Sequence, residues 1–493
     1  MTAEVSVRRG QYRDSVTLMQ LSRDLSTVDG VEAVFVAMAT ELNLDLLAGM
    51  GFDRPTEATP NDMVVAVRAE AGALEVANAR LAELLAARAT AAAGGDADVA
   101  PRTVRSAARR HADASLALLS VPGANVLPEA MDALDAGLSV MIFSDNVPLE
   151  HEVRLKDTAR ERGLLVMGPD CGTAIVRGVG LGFANIVRPG PVGIVAASGT
   201  GAQQLLCLLD GAGIGVAHCL GVGGRDLSDA VGGRSTHQAL DLLASDPATE
   251  LVLVISKPPA AAVAESITEH AATIGKPVVL GFLGPGRPDL TEAAAEVVRA
   301  AGGTWTEPQW WPAPVERTGR YPFVRGLFSG GTLCDEAMVI AAAALGPIRS
   351  NIPLDPDWAL DDDLESNGHT MIDFGDDRLT QGRPHPMIDP SLRLARLSAE
   401  AADPTCGVLL LDVVLGHAAH PDPAAELAPA IREAHAVAGA DGRDLAVVVA
   451  LVGSVGDPQG RDGQAEALCA AGASVHLSNA AAARKAVELV GPE

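Results

Sequence analysis

The chain has 493 residues, 48% of them hydrophobic, which is room for about three ordinary domains and excludes a disordered protein. A net charge of -26 argues against a nucleic-acid partner, which would call for a basic face. The opening MTAEVSVRRGQYRDS has no apolar signal core and no long clean apolar run follows, so a cytoplasmic chain with no membrane contact is expected.

Residues 1–85 read as a small α/β unit, with a helix in SVTLMQLSRDL and strands in GVEAVFVAMAT and NDMVVAVRA. The Ala/Arg/Gly-rich stretch 86–111 reads as a linker. From 112 the pattern becomes strict β-α alternation. ASLALLSV, LSVMIF and GLLVMG are strands of a first module, 112–188. PVGIVAAS, IGVAHCLGVG, ELVLVISK and KPVVLGFLG are strands of a second, 189–303. Residues 304–320, rich in Pro and Trp, read as another linker. A last module, 321–493, holds CGVLLLDVVL, DLAVVVALVG and SVHL. Such alternation predicts parallel, doubly wound sheets: a multidomain α/β chain with a Rossmann-like module followed by two flavodoxin-like ones.

In such sheets ligands sit at the carboxyl ends of strands. Two turns stand there, Ser198-Gly199-Thr200-Gly201 and Ser329-Gly330-Gly331-Thr332, each opening a helix. Glycines let backbone N–H groups approach an anion, hydroxyls add donors, and the helix start adds partial positive charge. Ordinary N-capping by Ser or Thr explains either turn alone; two matching turns favour a shared phosphate site. Gly223 and Gly224 follow a strand end and could line the same cleft, although a simple turn also explains them. GVGLGF (178–183) reads as a loop and GAGIGV (211–216) as a helix end.

Lysine is scarce: Lys156, Lys257, Lys276 and Lys485 are the whole set. Lys257 ends a buried strand and is followed by two prolines, which places it at a ligand crevice or at the sheet rim. In 369–389, Arg383, His385 and Arg378 could grip a carboxylate or phosphate, and Asp373, Asp376 and Asp377 could hold Mg²⁺; a solvated charged loop explains them equally. Asp412, His417, His420 and Asp422 form a second such cluster, in which zinc lacks a clear third ligand. The six cysteines, Cys171, Cys207, Cys219, Cys334, Cys406 and Cys469, form no C-x-x-C pair and fit reduced thiols, so no metal site is expected.

The run VMGPDCGTAIVRG, IVRPGPVGIVAASGTGAQQL and GVGGRDL resembles the α subunit of succinyl-CoA synthetase over about 112–300, and FSGGTLCDEA resembles the ligase part of the β subunit. GQYRDSVTLMQ, GRPHPMIDPSLR and LLDVVLG are similar to the FdrA family, acyl-CoA synthetase-like proteins, across the whole chain. The resemblance implies that the two Ser/Gly/Thr turns hold a phosphate and that Asp170 and Cys171 line the cleft. Three departures stand out. The loop GFLGPGRPDLTEAAAEVV has no histidine to carry a phosphoryl group, Lys257 stands where a supporting glutamate is expected, and no glycine-rich CoA turn opens the Rossmann-like module.

As the resemblance implies, the chain is expected to be a subunit of a heteromeric carbamoyltransferase of allantoin breakdown. It would use phosphate or carbamoyl phosphate as substrate, with Lys257, Arg383 and His385 catalytic. The alternatives are an NDP-forming acyl-CoA synthetase subunit and a non-catalytic assembly subunit. CoA and Mg²⁺ are possible ligands, no cofactor is assigned firmly, and a homo-oligomer is possible.

Overall fold

Alternating valine and alanine in the first seventy residues build a small antiparallel sheet. The computed structural model describes residues 2–490 except 12, 14, 56, 94–100, 102, 316–320 and 381–383. Two compact units divide the chain: 1–102 with 380–384, and 103–379 with 385–493.

The first unit runs β1 (Thr2–Arg8), α1 (Ser15–Ser26), β2 (Val31–Met38), α2 (Glu41–Gly49), β3 (Met63–Ala69) and α3 (Ala71–Ala93). The sheet order is β1-β3-β2, with both neighbours antiparallel to β3. Being central, β3 is buried on both faces. Met63, Val65 and Val67 pack on leucines of α1 and α3, while Val64 and Ala66 pack with Leu44, Leu47 and Phe52.

The second unit begins with α4 (Val104–Arg110). The stretch 86–111, expected as a linker, therefore holds the last turns of α3 and all of α4. Alanine is the best helix former, so a run of alanines extends a helix where composition suggested a tether. A Thr103/Ser106 capping box opens α4, and Arg105 ties it to Asp132 at 2.7 Å.

Next come β4 (Leu116–Leu119), α5 (Val126–Asp135), β5 (Ser139–Ile142), α6 (Leu149–Glu161) and β6 (Val166–Met167), which form a three-stranded parallel sheet ordered β4-β5-β6. The hairpin β7 (Thr173–Val176) and β8 (Val179–Gly182) does not join it. GVGLGF, expected as a loop, supplies the turn and β8, and β7 pairs with a strand of the following sheet.

That sheet contains β9 (Val192–Ala197), β10 (Val216–Gly221), β11 (Leu251–Ser256) and β12 (Val278–Phe282), connected by α7 (Gly199–Gly211), α8 (Arg234–Ser245) and α9 (Ala261–Ala271), and followed by α10 (Leu290–Ala300). Its order is β12-β11-β9-β10-β7-β8. The expected linker 304–320 contributes β13 (Trp310–Trp311), an edge strand of the last sheet. That sheet continues with β14 (Phe323–Phe328), α11 (Gly331–Leu345), β15 (Thr370–Asp373), α12 (Asp377–Thr380), α13 (Ser391–Ala402), β16 (Cys406–Val414), α14 (Pro423–Ala440), β17 (Ala446–Val452), α15 (Arg461–Ala470), β18 (Ser474–His476) and α16 (Asn479–Leu489). Its order is β13-β18-β17-β16-β14-β15.

One core joins the two large sheets, with α7, α10, α11 and α16 contributing side chains to it. Helix α7 is buried from Thr200 to Leu209; its leucines join the core, and its buried Gln203 and Gln204 donate hydrogen bonds to Asn185 and to Leu477 O. The chain leaves β9 for β10 on one side and returns as β11 on the other. Likewise β14 is flanked by β15 and β16. Both are topological switch points, where open α/β sheets form ligand crevices. Among the described residues no helix is long and apolar enough to cross a membrane.

Candidate functional site

Strand register assembles the site. Ala197 pairs with Ser256, so the next residues, Ser198 and Lys257, lie side by side at the carboxyl ends of β9 and β11. In the other sheet Leu327 pairs with Leu411 and Phe328 with Asp373. The turn after β14 is thereby flanked by Asp412 on one side and Asp373 on the other.

The two helix starts meet. The Ser198 hydroxyl donates to Thr332 Oγ1 at 2.7 Å and accepts the Gly201 N–H at 3.0 Å. A Cβ on Gly330 would stand 2.5 Å from Thr200 Oγ1, so only glycine permits this approach. At Gly199 a Cβ would meet nothing within 4 Å, which marks the open side of the junction. Lys257 leans over the other helix start, since a Cβ on Gly331 would lie 2.9 Å from its Nζ and 2.6 Å from Asp373 Oδ2.

Part of the second turn is already occupied. Asp412, fully buried, accepts the Ser329 N–H and hydroxyl at 2.8 Å each and the Gly330 N–H at 2.9 Å. Arg393 neutralises it through a 2.7 Å ion pair. Ser329 and Gly330 were expected to bind phosphate, but an internal carboxylate takes those donors. The donors left for an anion come from Gly199, Thr200, Gly331, Thr332 and Lys257, because the first N–H groups of a helix have no partner within it.

Carboxylates surround Lys257. Asp335 lies 3.7 Å from its Nζ. Burial works against the lysine's charge, yet Asp335, Asp373 and Asp170 outweigh it and hold the ammonium above its usual value. Burial pushes the Asp373 carboxyl up to about 7, with Lys257 opposing. Burial, reinforced by Asp377 and Asp145, does the same to Asp170, also to about 7. Asp170 is nonetheless open to solvent. Its charge acts on Lys257, so Asp170 stands on the solvent-facing wall of the site. Gly223 packs against Pro169, and Gly224 lies beside the Asp170 carboxylate, so both glycines shape that wall.

Two other expectations change. Cys171 does not line the cleft: its side chain is buried in the core beside β10, its thiol points to Thr173 O, and burial raises its pKa strongly. His385 does reach the site, since a Cβ on Gly375 would meet its Nε2 at 2.9 Å and Asp373 Oδ1 at 3.1 Å. However, burial, and secondarily Arg393, lowers its pKa to about 4, so a neutral ring offers no charge to a carboxylate. Arg383 lies outside the described residues.

The metal candidates do not converge. Asp373 accepts the Gly375 N–H, Asp376 accepts from Arg378, and His420 bonds Glu426. Among the described residues no group of three or more His, Cys, Asp or Glu is arranged around a metal. Sequence reasoning missed Asp335, one turn into α11, and the role of Arg393. It flagged Asp412 and Asp373 without seeing that sheet order sets both beside the second turn.

Two family models match the chain: the AllF heavy metal-associated domain over 1–101 and the CoA-ligase over 327–489. The uncharacterized protein YahF of Escherichia coli K12 is 40% identical over 96% of this chain and 95% of its own length. The chain belongs to the YahF family. Succinate–CoA ligase [ADP-forming] subunit alpha 2 of Archaeoglobus fulgidus is 28% identical over 43% of this chain and 75% of that subunit. The solved ATP citrate lyase of Methanothrix soehngenii, in complex with citrate and coenzyme A, aligns at a TM-score of 0.33 and 18% identity, over 41% of this chain and 37% of its own. The family-model match makes residues 327–489 CoA-ligase-like. The heavy-metal label does not fit its residues, because 1–101 contains neither cysteine nor histidine to bind a soft metal.

Proposed function

We propose that this chain is an acyl-phosphate-using member of the CoA-ligase group. It would exchange an acyl group between phosphate and a thiol of the CoA type where the two large sheets meet. One observation carries the reading: the 2.7 Å contact between Ser198 and Thr332 brings two helix starts from two sheets to one point, with Lys257 above Gly331. Each start contributes unpaired N–H groups and partial positive charge, and Lys257 adds a full one.

In the reaction the thiol sulfur attacks the acyl carbon, the carbon–oxygen bond breaks, and phosphate leaves with the bonding pair. The thiol proton goes to Asp373, whose carboxyl titrates near 7 and can exchange a proton at neutral pH. The loop after β12, Leu283 to Asp289, contains no histidine, so the phosphoryl group is not passed through the enzyme there. The likeness to CoA ligases favours a thiol acceptor over the carbamoyl transfer inferred from the FdrA resemblance. A partner subunit that supplies the acceptor belongs to the same reading.

Acetyl phosphate and CoA, incubated with the chain alone and with its genomic neighbours, should yield thioester and phosphate and no acid-labile phosphoprotein. Carbamoyl phosphate formed from a ureido acid and phosphate without any thiol would instead establish carbamoyl transfer.

The site's electrostatics give a second expectation. Sulfate remains a dianion from pH 5 to 9. As pH rises through about 7, Asp373 and Asp170 pass from neutral acids to anions facing it, so sulfate affinity should fall severalfold. Asp373→Asn should flatten that profile. A flat profile in the unaltered chain would show that these carboxyls do not face the anion.

A further inference from the structure

The sheet of the first unit has two outer edges, and they differ. In β2 the register slips between Val31 and Ala33, a bulge of the kind that blunts an edge against further pairing. In β1 the register runs unbroken from Thr2↔Ala69 to Arg8↔Met63. That strand, Thr-Ala-Glu-Val-Ser-Val-Arg, has no proline and no lysine, and among the described residues no strand pairs with its outer edge. An edge of this kind is a template for one more strand.

Its side chains state what that strand should be. Successive residues alternate between faces, so Ala3, Val5 and Val7 lie on one face and Thr2, Glu4, Ser6 and Arg8 on the other. Val5 and Val7 are only partly buried and continue the apolar cluster of Ala33, Phe35, Val64 and Ala66. Glu4 is exposed and accepts one hydrogen bond from Asn78 at 3.2 Å; Arg8 is half-buried. Placed antiparallel to itself about Ser6, the strand sets Glu4 opposite Arg8 twice and Val5 opposite Val7 twice. A shift of the axis to Val5 keeps the valines on one face and leaves Glu4 diagonal to Arg8. Every close cross-strand pair is then apolar, polar or oppositely charged, which is the condition for a stable pairing.

We propose that β1 is a self-complementary edge that pairs antiparallel with β1 of a second copy of this chain, joining two three-stranded sheets into one of six strands. The inference is independent of the chemistry proposed for the second unit.

Sedimentation of the full chain over a concentration series tests it. The unaltered chain should dimerise reversibly. Glu4→Arg and Arg8→Glu should each weaken the dimer by about tenfold or more, because each sets like charges opposite one another in both halves. The double variant E4R/R8E restores opposite charges and should return affinity to near the starting value, which a merely misfolded strand would not do. In a Cys469→Ser background, Ser6→Cys or Val5→Cys should form an intermolecular disulfide on oxidation. A chain that stays monomeric throughout would overturn the proposal. So would a dimer indifferent to both single charge changes, a double variant no better than the singles, or an edge occupied by a strand of another protein.

Discussion

Lys156→Met should lower the stability of the second unit by about 3 kcal/mol, because it strips a buried ion network of its only ammonium. Lys156 is fully buried in α6. Its Nζ donates to Glu152 at 2.8 Å, to Asp226 at 2.7 Å and to Val222 O at 2.9 Å. Removing one partner of a buried pair leaves an uncompensated charge, which costs more than the pair itself contributes. The loss is moderated here. Asp226 keeps the Ser235 N–H, the Thr236 N–H and the Thr236 hydroxyl, and Glu152 keeps Arg225 at 2.9 Å. The effect extends beyond stability, because this network fastens the three-stranded module to the connection that carries Gly223, Gly224 and Arg225 at the cleft. Urea unfolding of K156M and of K156M/E152Q separates the two contributions, since neutralising Glu152 should recover part of the loss. A shift below about 0.5 kcal/mol, the usual range of surface substitutions, would show that the network is not the fastening described.

Lys257→Ala should weaken phosphate or acyl-phosphate binding by about one to two orders of magnitude at unchanged fold, the equivalent of one charge-assisted hydrogen bond of roughly 1.5–3 kcal/mol. Its ammonium is the full positive charge over the α11 start, and it offsets the nearby Asp335, Asp373 and Asp170. Without it three acidic groups confront the anion directly. Lys257→Glu should be worse still, as it adds a fourth. Lys485, in α16 and paired with Glu488 at 3.3 Å, serves as the control: K485A should bind as the unaltered chain does. Titration of phosphate and acetyl phosphate into the four proteins decides it, and equal affinity in all would remove Lys257 from the site.

Much of this architecture was readable from spacing alone. Runs such as PVGIVAAS, ELVLVISK and CGVLLLDVVL are apolar over most of their length, as strands buried on both faces are, and the helices between them imply parallel sheets. The readings that failed share a cause. GVGLGF and Trp310–Trp311 are too short and too irregular to show a period, and they become strands where β7 and β18 offer them an edge. The alanines of 86–93 carry no amphipathic pattern, although their helix propensity is high.

The site was legible to the same degree. Both Ser/Gly/Thr turns could be located because glycines and hydroxyls before a helix are visible in the sequence, and Lys257 because a strand ends there. Asp412 capping the Ser329 turn could not be found. It depends on β16 lying beside β14 rather than on any local motif, and sheet order is not encoded in a single run of residues. Cys171 failed for a related reason: it stands next to Asp170 in sequence, but the chain turns there, leaving the carboxylate in the cleft and the thiol in the core.

Diffraction from crystals of the full chain soaked in tungstate, a heavy tetrahedral dianion, tests the central claim most directly. An anomalous peak should appear within hydrogen-bonding distance of the Gly199 or Thr200 N–H groups on one side and of Lys257 Nζ and the Thr332 hydroxyl on the other. That peak should be lost in K257A. A tungstate bound elsewhere, or a junction between the two helix starts that stays empty while the anion saturates other sites, would contradict it.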